Sequence, residues 1–496
     1  MRELAGIFRN ILVLFMAIAI GACGSQSEDE LRVVVIGDPD DPFESGQRLS
    51  PAGQMVRAAT SEGLVGFDAE GRIVPALADR WIVTDDGLSF IFRLRDGLWQ
   101  DGSEITGRNA LAALKQSIRG LEGTSLGRDL NGIDEIRQMA GRVIEIRLSR
   151  PVPNLLQILA QPELGLTHAS EGAGPMRMSR REEVALLTPI DPDELGMPEQ
   201  RNWADRVRPI RLSALPGEAA IERFNAGEAD LVLNGRIQHF PLASAVGILR
   251  GSIQPDAAVG LFGLKVRRQR GFLKTAINRE AIAMAIDRDA LIAPFGIDGW
   301  VATTRLVPPG LDDETGMIAE RWSQMTIEER QALARARVLS WRSSLDDAEP
   351  APGPLAVWLP LGPGSELLFE RLTADLGNIG LALRRVEDIA EADLQLIDVV
   401  ARYPRTRWFL NRMSCASWPS ACTVPADRRV IEANAEPIAS ESIERLAEAE
   451  ELMTEANLFI PFGAPIRWSL ASGTVQGFSI NRWAWHPLMP MALLPN

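Results

Sequence analysis

The run Leu31–Ile36, Leu-Arg-Val-Val-Val-Ile, constrains the fold more than any other stretch of the chain. A strand with one wet face alternates apolar and polar residues. This run is apolar at successive positions, so both faces need cover, as in a parallel or mixed sheet flanked by helices. It ends in Gly-Asp-Pro-Asp-Asp-Pro-Phe-Glu, a loop of turn residues.

Other segments fit the same architecture. Leu88, Phe90, Phe92 and Leu94 alternate with Ser89, Ile91, Arg93 and Arg95, a period of two that predicts a strand between turns at Asp85–Gly87 and Asp96–Gly97. Thr106 is the expected N-cap of a helix through Ala110, Leu111, Leu114 and Ile118. Arg142–Arg150 alternates again and stops at Pro151. Helix, glycine turn and strand follow one another in Ile221–Gly235, and helix then strand in Ser365–Val386 and Ser442–Phe462. Strands interleaved with helices predict an α/β protein of more than one domain. The Pro- and Gly-rich stretch Ala348–Pro354 reads as the most linker-like internal segment.

The net charge of −14 argues against nucleic acid as a partner. The motifs of activated nucleophiles, zinc hydrolases, P-loops and dinucleotide sites are all missing, and His168, His239 and His486 are the only histidines. The acid pairs Asp40-Asp41 and Asp85-Asp86 sit in turn signals, where local turn chemistry explains them. The sequence therefore predicts no enzyme, no cofactor and no metal.

Ile11–Ile20 is ten apolar residues, too short to span a bilayer, which takes about 20. Arg2 and Arg9 precede it; Gly21, Ala22 and Cys23 follow. Positive end, apolar middle and small residues predict a signal peptide over 1–22. Ile20-Gly21-Ala22-Cys23 resembles the lipobox of bacterial lipoproteins, which implies lipidation of Cys23 and a linker over 23–30. The alternative is an ordinary signal peptide with Cys23 lost or free. Cys415 and Cys422 are the other cysteines. In an oxidising compartment a local disulfide is the first reading and free thiols the second; zinc would need two further ligands.

Several motifs then resemble one family in collinear order: "EGLVGFDAEGRIVPALADRWIVTDDGLSFIFRLRDGLWQDGSEITGRNAL", "GAGPM", "FNAGEADLV", "AIAMAIDRDALI", "VPPG" and "LTADLGNIGLALRR". They are similar to the extracytoplasmic solute-binding proteins of peptide-type ABC transporters, solute-binding family 5. The resemblance implies a periplasmic-binding-protein-like fold of two α/β lobes with an additional α/β domain, and a cleft between the lobes. It places the first lobe at 31–62, 174–255 and 459–496, the extra domain at 63–173 and the second lobe at 256–458. It implies a monomer, exported and lipid-anchored to a bacterial membrane, that hands a peptide-like or anionic solute to a permease. The competing reading is a structural or signalling lipoprotein that keeps the fold without transport.

In peptide-binding members a segment like A-D-Y-x-x-P-x-x-F-L-N supplies an aspartate for the peptide's amine. Here the corresponding stretch is Ala401–Met413, and Arg402 stands where the aspartate would be. A guanidinium suits a carboxylate, not an ammonium. Arg402 is thus a candidate anchor for an anionic group; the alternative is a solvated loop charge. Tyr403, Trp408 and Trp418 are candidate aromatic walls of the cleft, or else core. Asp40, Asp41 and Phe43 are candidates because loops after such strands face ligands, or else they form a capped surface turn. Trp483 and Trp485, in Asn-Arg-Trp-Ala-Trp, are expected to face opposite ways.

Overall fold

The computed structural model describes residues 30–244, 251–311, 319–345, 353–419 and 422–494. The signal segment, Cys23 and most of Ala348–Pro354 lie outside the described residues.

Leu31–Ile36 is the central strand of a seven-stranded sheet. It pairs in parallel with Ile210–Leu215 on one side and Leu231–Arg236 on the other. Val33 and Val35 face one apolar cluster and Val34 and Ile36 another, so both faces are covered. Arg32 is the polar exception. It reaches the sheet end and pairs with Asp230 at 2.6 Å. Outside the parallel centre the strands are antiparallel: Val184–Pro189 and Met176–Arg181 at one edge, Arg467–Ala471 and Ser252–Asp256 at the other.

A second sheet of five strands runs in the order Leu383–Arg385, Leu355–Trp358, Leu394–Val400, Gly260–Val266, Phe459–Gly463. The chain crosses from one sheet to the other twice. Residues 257–259 join Ser252–Asp256 to Gly260–Val266, and residues 464–466 join Phe459–Gly463 to Arg467–Ala471. The expected start of the returning first-lobe segment at 459 is therefore corrected. Phe459–Gly463 pairs with Gly260–Val266 in the second sheet, and only from Arg467 does the chain rejoin the first. The apolar run Leu458–Phe462 is a strand in either assignment; its partner is a tertiary fact.

The third unit holds an antiparallel four-stranded sheet, Ala78–Val83, Ser89–Leu94, Val143–Leu148 and Ile133–Gln138, in the order first, second, third, fourth as named. The helix Gly107–Gly120 packs its Ala110, Ala113 and Leu114 into this unit's core. It starts at Thr106 in a reciprocal cap: Asn109 N–H donates to Thr106 Oγ1, and Thr106 N–H donates to Asn109 Oδ1. Such a cap satisfies two of the four amide donors a helix start leaves open.

This unit is joined to the two lobes in different ways. Backbone bonds tie it to the first lobe, among them Leu98 N to Leu195 O and Leu166 N to Glu62 O. Among the described residues, only side chains bond it to the second lobe. Arg128 reaches Ser414 and Ser417, Arg150 reaches the Asn434 carbonyl, and Asp129 accepts from Tyr403 and Asn411.

Candidate functional site

A cavity of about 340 Å³ lies where all three units meet. Pro51, Gln54 and Met55 line it from the helix Pro51–Thr60, and Arg236 and Arg467 from the first sheet. Asp398 to Arg402, Trp408 and Arg412 come from the second lobe. Phe67, Trp483 and Trp485 complete an aromatic wall. Aromatic surface with a few converging charges is the usual make-up of a small-molecule cleft.

Local geometry explains how the charges arrive there. The strand Leu231–Arg236 bulges against Arg467–Ala471 between Val232 and Gly235. Asn234 takes a left-handed φ of 64° and ties its amide to the Ile36 carbonyl at 2.8 Å. Gly235 lies under the Trp468 ring, where a Cβ would sit 2.1 Å from a ring carbon. A bulge re-aims the residues beyond it, and Arg236 follows directly. On the other wall, Trp408 and Arg412 are four apart in the helix Thr406–Arg412 and so share a face, while Phe409 and Leu410 turn into the core.

The charges fall into two groups. Arg467 bonds Asp398 Oδ1 at 2.6 Å; both side chains are nearly buried. Arg402 Nη2 bonds Glu163 Oε1 at 2.9 Å, and Gln54 donates to the same oxygen at 3.1 Å. These two cations are neutralised. Arg236 and Arg412 have no hydrogen-bonded or ion-paired acceptor for their guanidinium groups among the described residues, and Arg412 Nε is buried without a partner. Burial, reinforced by Arg467, holds the Arg236 guanidinium below its ordinary pKa; Asp398 pulls the other way. Burial also lowers Arg412, with Arg402 and Arg128 adding repulsion.

The expected site residues divide. Arg402 and Trp408 line the cavity. Tyr403 does not: it is fully buried, and its hydroxyl donates to Asp129 Oδ1 at 2.8 Å. Burial, then the Asp129 charge, raises the Tyr403 hydroxyl well above its ordinary pKa. Trp418 does not line it either. It packs against Phe459 with ring centroids 5.9 Å apart, and the Lys265 ammonium sits over its ring. Asp40, Asp41 and Phe43 form a short 3₁₀ turn outside the cavity. Asp40 pairs with Arg180, Asp41 accepts the Asp38 N–H, and Arg180 lies over the Phe43 ring. Cys415 and Cys422 are bonded, with Cα atoms 4.9 Å apart.

Trp483 and Trp485 both line the cavity, against the expected alternation. The segment is no strand: Ala484 has φ of 47°, and Asn481 Oδ1 accepts from the N–H groups of both tryptophans. The same segment is pinned to the first crossing. Asp256 accepts from Asn481 N at 2.9 Å and lies 3.3 Å from His486 Nε2.

Gln54, Phe67, Glu163, Arg236 and Arg412 escaped the sequence reading. The one local signal was an arginine closing an apolar strand at Leu231–Arg236. A larger cavity of about 660 Å³ adjoins the two crossings beside the loop Gly296–Val301, but its walls are mainly apolar, Pro and Gly, with Arg467 already paired.

Two lobes joined by two short crossings, with a charged cavity between them, form a clamshell-type architecture. Residues 72–185 match the profile of the bacterial extracellular solute-binding proteins, family 5, middle region. The chain is 31% identical over 321 residues to the probable deoxycholate-binding periplasmic protein YgiS of Escherichia coli strain K12, covering 58% of each chain. It is 28% identical over 318 residues to the glutathione-binding protein GsiB of Shigella flexneri serotype 5b, covering 60% of this chain and 59% of that one. The chain thus spans somewhat over half the length of these two relatives. Its fold matches the Escherichia coli murein tripeptide binding protein MppA with a TM-score of 0.77 at 17% identity, over 95% of this chain and 99% of that one. Residues 72–185 are thus similar to the middle region of the family 5 solute-binding proteins, and the chain shares the fold of the murein tripeptide binding protein. Among the described residues, no helix is long and apolar enough to cross a membrane.

Proposed function

We propose that this protein captures a small solute outside the cytoplasmic membrane and delivers it to the permease of an ABC importer. The observation that carries this reading is the cavity at the meeting of three units, walled by aromatics and arginines and spanned by two crossings of three residues each. Closing such a cleft removes water and strengthens every polar contact inside. The relatives' names point the same way: one is a probable binder of deoxycholate, the other a binder of glutathione. The protein acts as a monomer, anchored through a lipid on Cys23, with the Cys415–Cys422 disulfide bracing the second lobe. It performs no chemistry on its solute.

In this reading Arg402 is a latch, not an anchor. Its partner Glu163 belongs to the third unit, so the pair spans the cleft. A pair that holds the cleft shut without solute is also the observation favouring a structural or signalling lipoprotein. Solute capture separates the two. Mass spectrometry of the native protein should find a co-purifying solute, and adding it back at 100 times its Kd should stabilise the fold by about 2.7 kcal/mol. A protein that carries no solute, and whose unfolding no transported solute shifts, is no transport component.

A further inference from the structure

We infer that the cleft selects an amphipathic organic anion, gripped by Arg236 from the first lobe and Arg412 from the second. This rests on the capture reading above and assigns its substrate class.

Four arginines and one aspartate line the cavity. Asp398 neutralises Arg467, and Glu163, behind the wall, neutralises Arg402. Arg236 and Arg412 remain, a local excess of positive charge in a chain whose net charge is −14. Desolvating a guanidinium without an acceptor is unfavourable, and each has cationic neighbours that add repulsion: Arg467 beside Arg236, Arg402 and Arg128 beside Arg412. A carboxylate or similar anion removes both penalties, and a guanidinium can grip it with two parallel hydrogen bonds.

The two arginines belong to different lobes, which links charge to motion. As the cleft shuts, Arg236 and Arg412 enter one water-poor space, and the desolvation of two guanidiniums without acceptors opposes closure. An anion between the lobes supplies the missing acceptor. The solute's charge therefore acts on the closing step itself, and a neutral analogue gains contacts with the walls but leaves the desolvation penalty in place. Asp398 adds a second constraint. Its Oδ2 is buried with no partner, so it can accept one hydrogen bond from a solute hydroxyl or N–H. Phe67, Trp408, Trp483 and Trp485 suit an apolar body between the polar ends.

The test uses matched acids and amides on the full mature protein: deoxycholate and its amide, glutathione and its diamide, N-benzoylglutamate and its diamide. Titration calorimetry should find at least one acid bound on the order of 30-fold or more tightly than its amide, the range for a buried charge pair. Arg236→Gln and Arg412→Gln should each remove most of that preference. Arg180→Gln should leave the acid-to-amide ratio unchanged, because that charge pairs with Asp40 in a turn outside the cavity. Arg236→Lys and Arg412→Lys, which retain the charge, should keep part of the preference if the glutamine variants do not fold. An amide bound as tightly as its acid, a panel in which no acid binds, or variants with undiminished preference would each overturn the assignment. A neutral or cationic solute found co-purifying and binding saturably would do so too, while leaving solute capture intact.

Discussion

Asp129→Asn should change how the protein's stability responds to pH. The Asp129 carboxyl is buried between the third unit and the second lobe, where Tyr403 and Asn411 donate to it at 2.8 and 2.9 Å. Burial pushes its pKa from 3.8 up to about 6, against the pull of those two donors and of Arg402 and Arg407. Between those values the native state holds a proton that the unfolded chain has released. Stability from this group is therefore complete below about pH 4 and is lost as pH rises through 6. A gap of about two pH units corresponds to about 3 kcal/mol, of which some 2–3 kcal/mol falls between pH 4 and 7.5. The asparagine variant keeps the oxygen that receives the Tyr403 hydroxyl but cannot titrate. Urea unfolding followed by tryptophan fluorescence at several pH values should show wild type losing about 2–3 kcal/mol relative to the variant across this window. Asp375, also raised to about 6 by burial, contributes to both proteins and cancels in the difference. Curves that stay parallel from pH 4 to 7.5 would refute the argument that burial outweighs the donors at this carboxyl.

Asp398→Ala strands the Arg467 guanidinium, 5% exposed, beside the second crossing; urea unfolding should register a loss of about 3–5 kcal/mol. Arg402→Ala removes the ion pair spanning the cleft, so small-angle scattering of the solute-free protein should report a larger radius of gyration than wild type. Cys415→Ser should cost about 2–3 kcal/mol, the loop-closure value for a seven-residue separation, and a thiol reagent should label neither cysteine in unreduced, unfolded wild type. Cys23→Ala should free the exported protein from membranes, since each lipid chain holds through about 0.8 kcal/mol per buried CH₂; fractionation after signal cleavage reads the outcome.

The fold was legible wherever a property belongs to neighbours in sequence. The unbroken apolarity of Leu31–Ile36 reported a strand covered on both faces, and Thr106 reported a helix start three residues before its reciprocal partner Asn109. The cleft was legible only in part. Arg402 and Trp408 could be placed by resemblance, but the acid that neutralises Arg402 lies 239 positions away. Tyr403 has the composition of a pocket wall, yet its hydroxyl is taken by a carboxylate 274 positions distant. Arg236 and Arg412 matter because of what they lack, and the lack of an acceptor is visible only once every acceptor has a position. Trp483 and Trp485 escaped for a different reason: a single left-handed residue, Ala484, overrides a period of two.

The pinning of Asn481 and His486 to Asp256 has a consequence for how much of the chain's end is dispensable. Residues 473–494 form no strand of either lobe's sheet, and on topology alone they resemble a tail that could be trimmed. Yet they buttress the first crossing through Asp256 and the Arg482 carbonyl, and carry two of the four aromatic walls. Trimming at residue 472 would leave both sheets with all their strands while removing a wall of the cleft and a brace of the joint on which it closes. The same segment also places Leu488, Met491 and Ala492 in the cluster that covers Val33 and Val35, so the shortened protein should bind nothing and unfold at lower denaturant, with its domain orientation loosened as well.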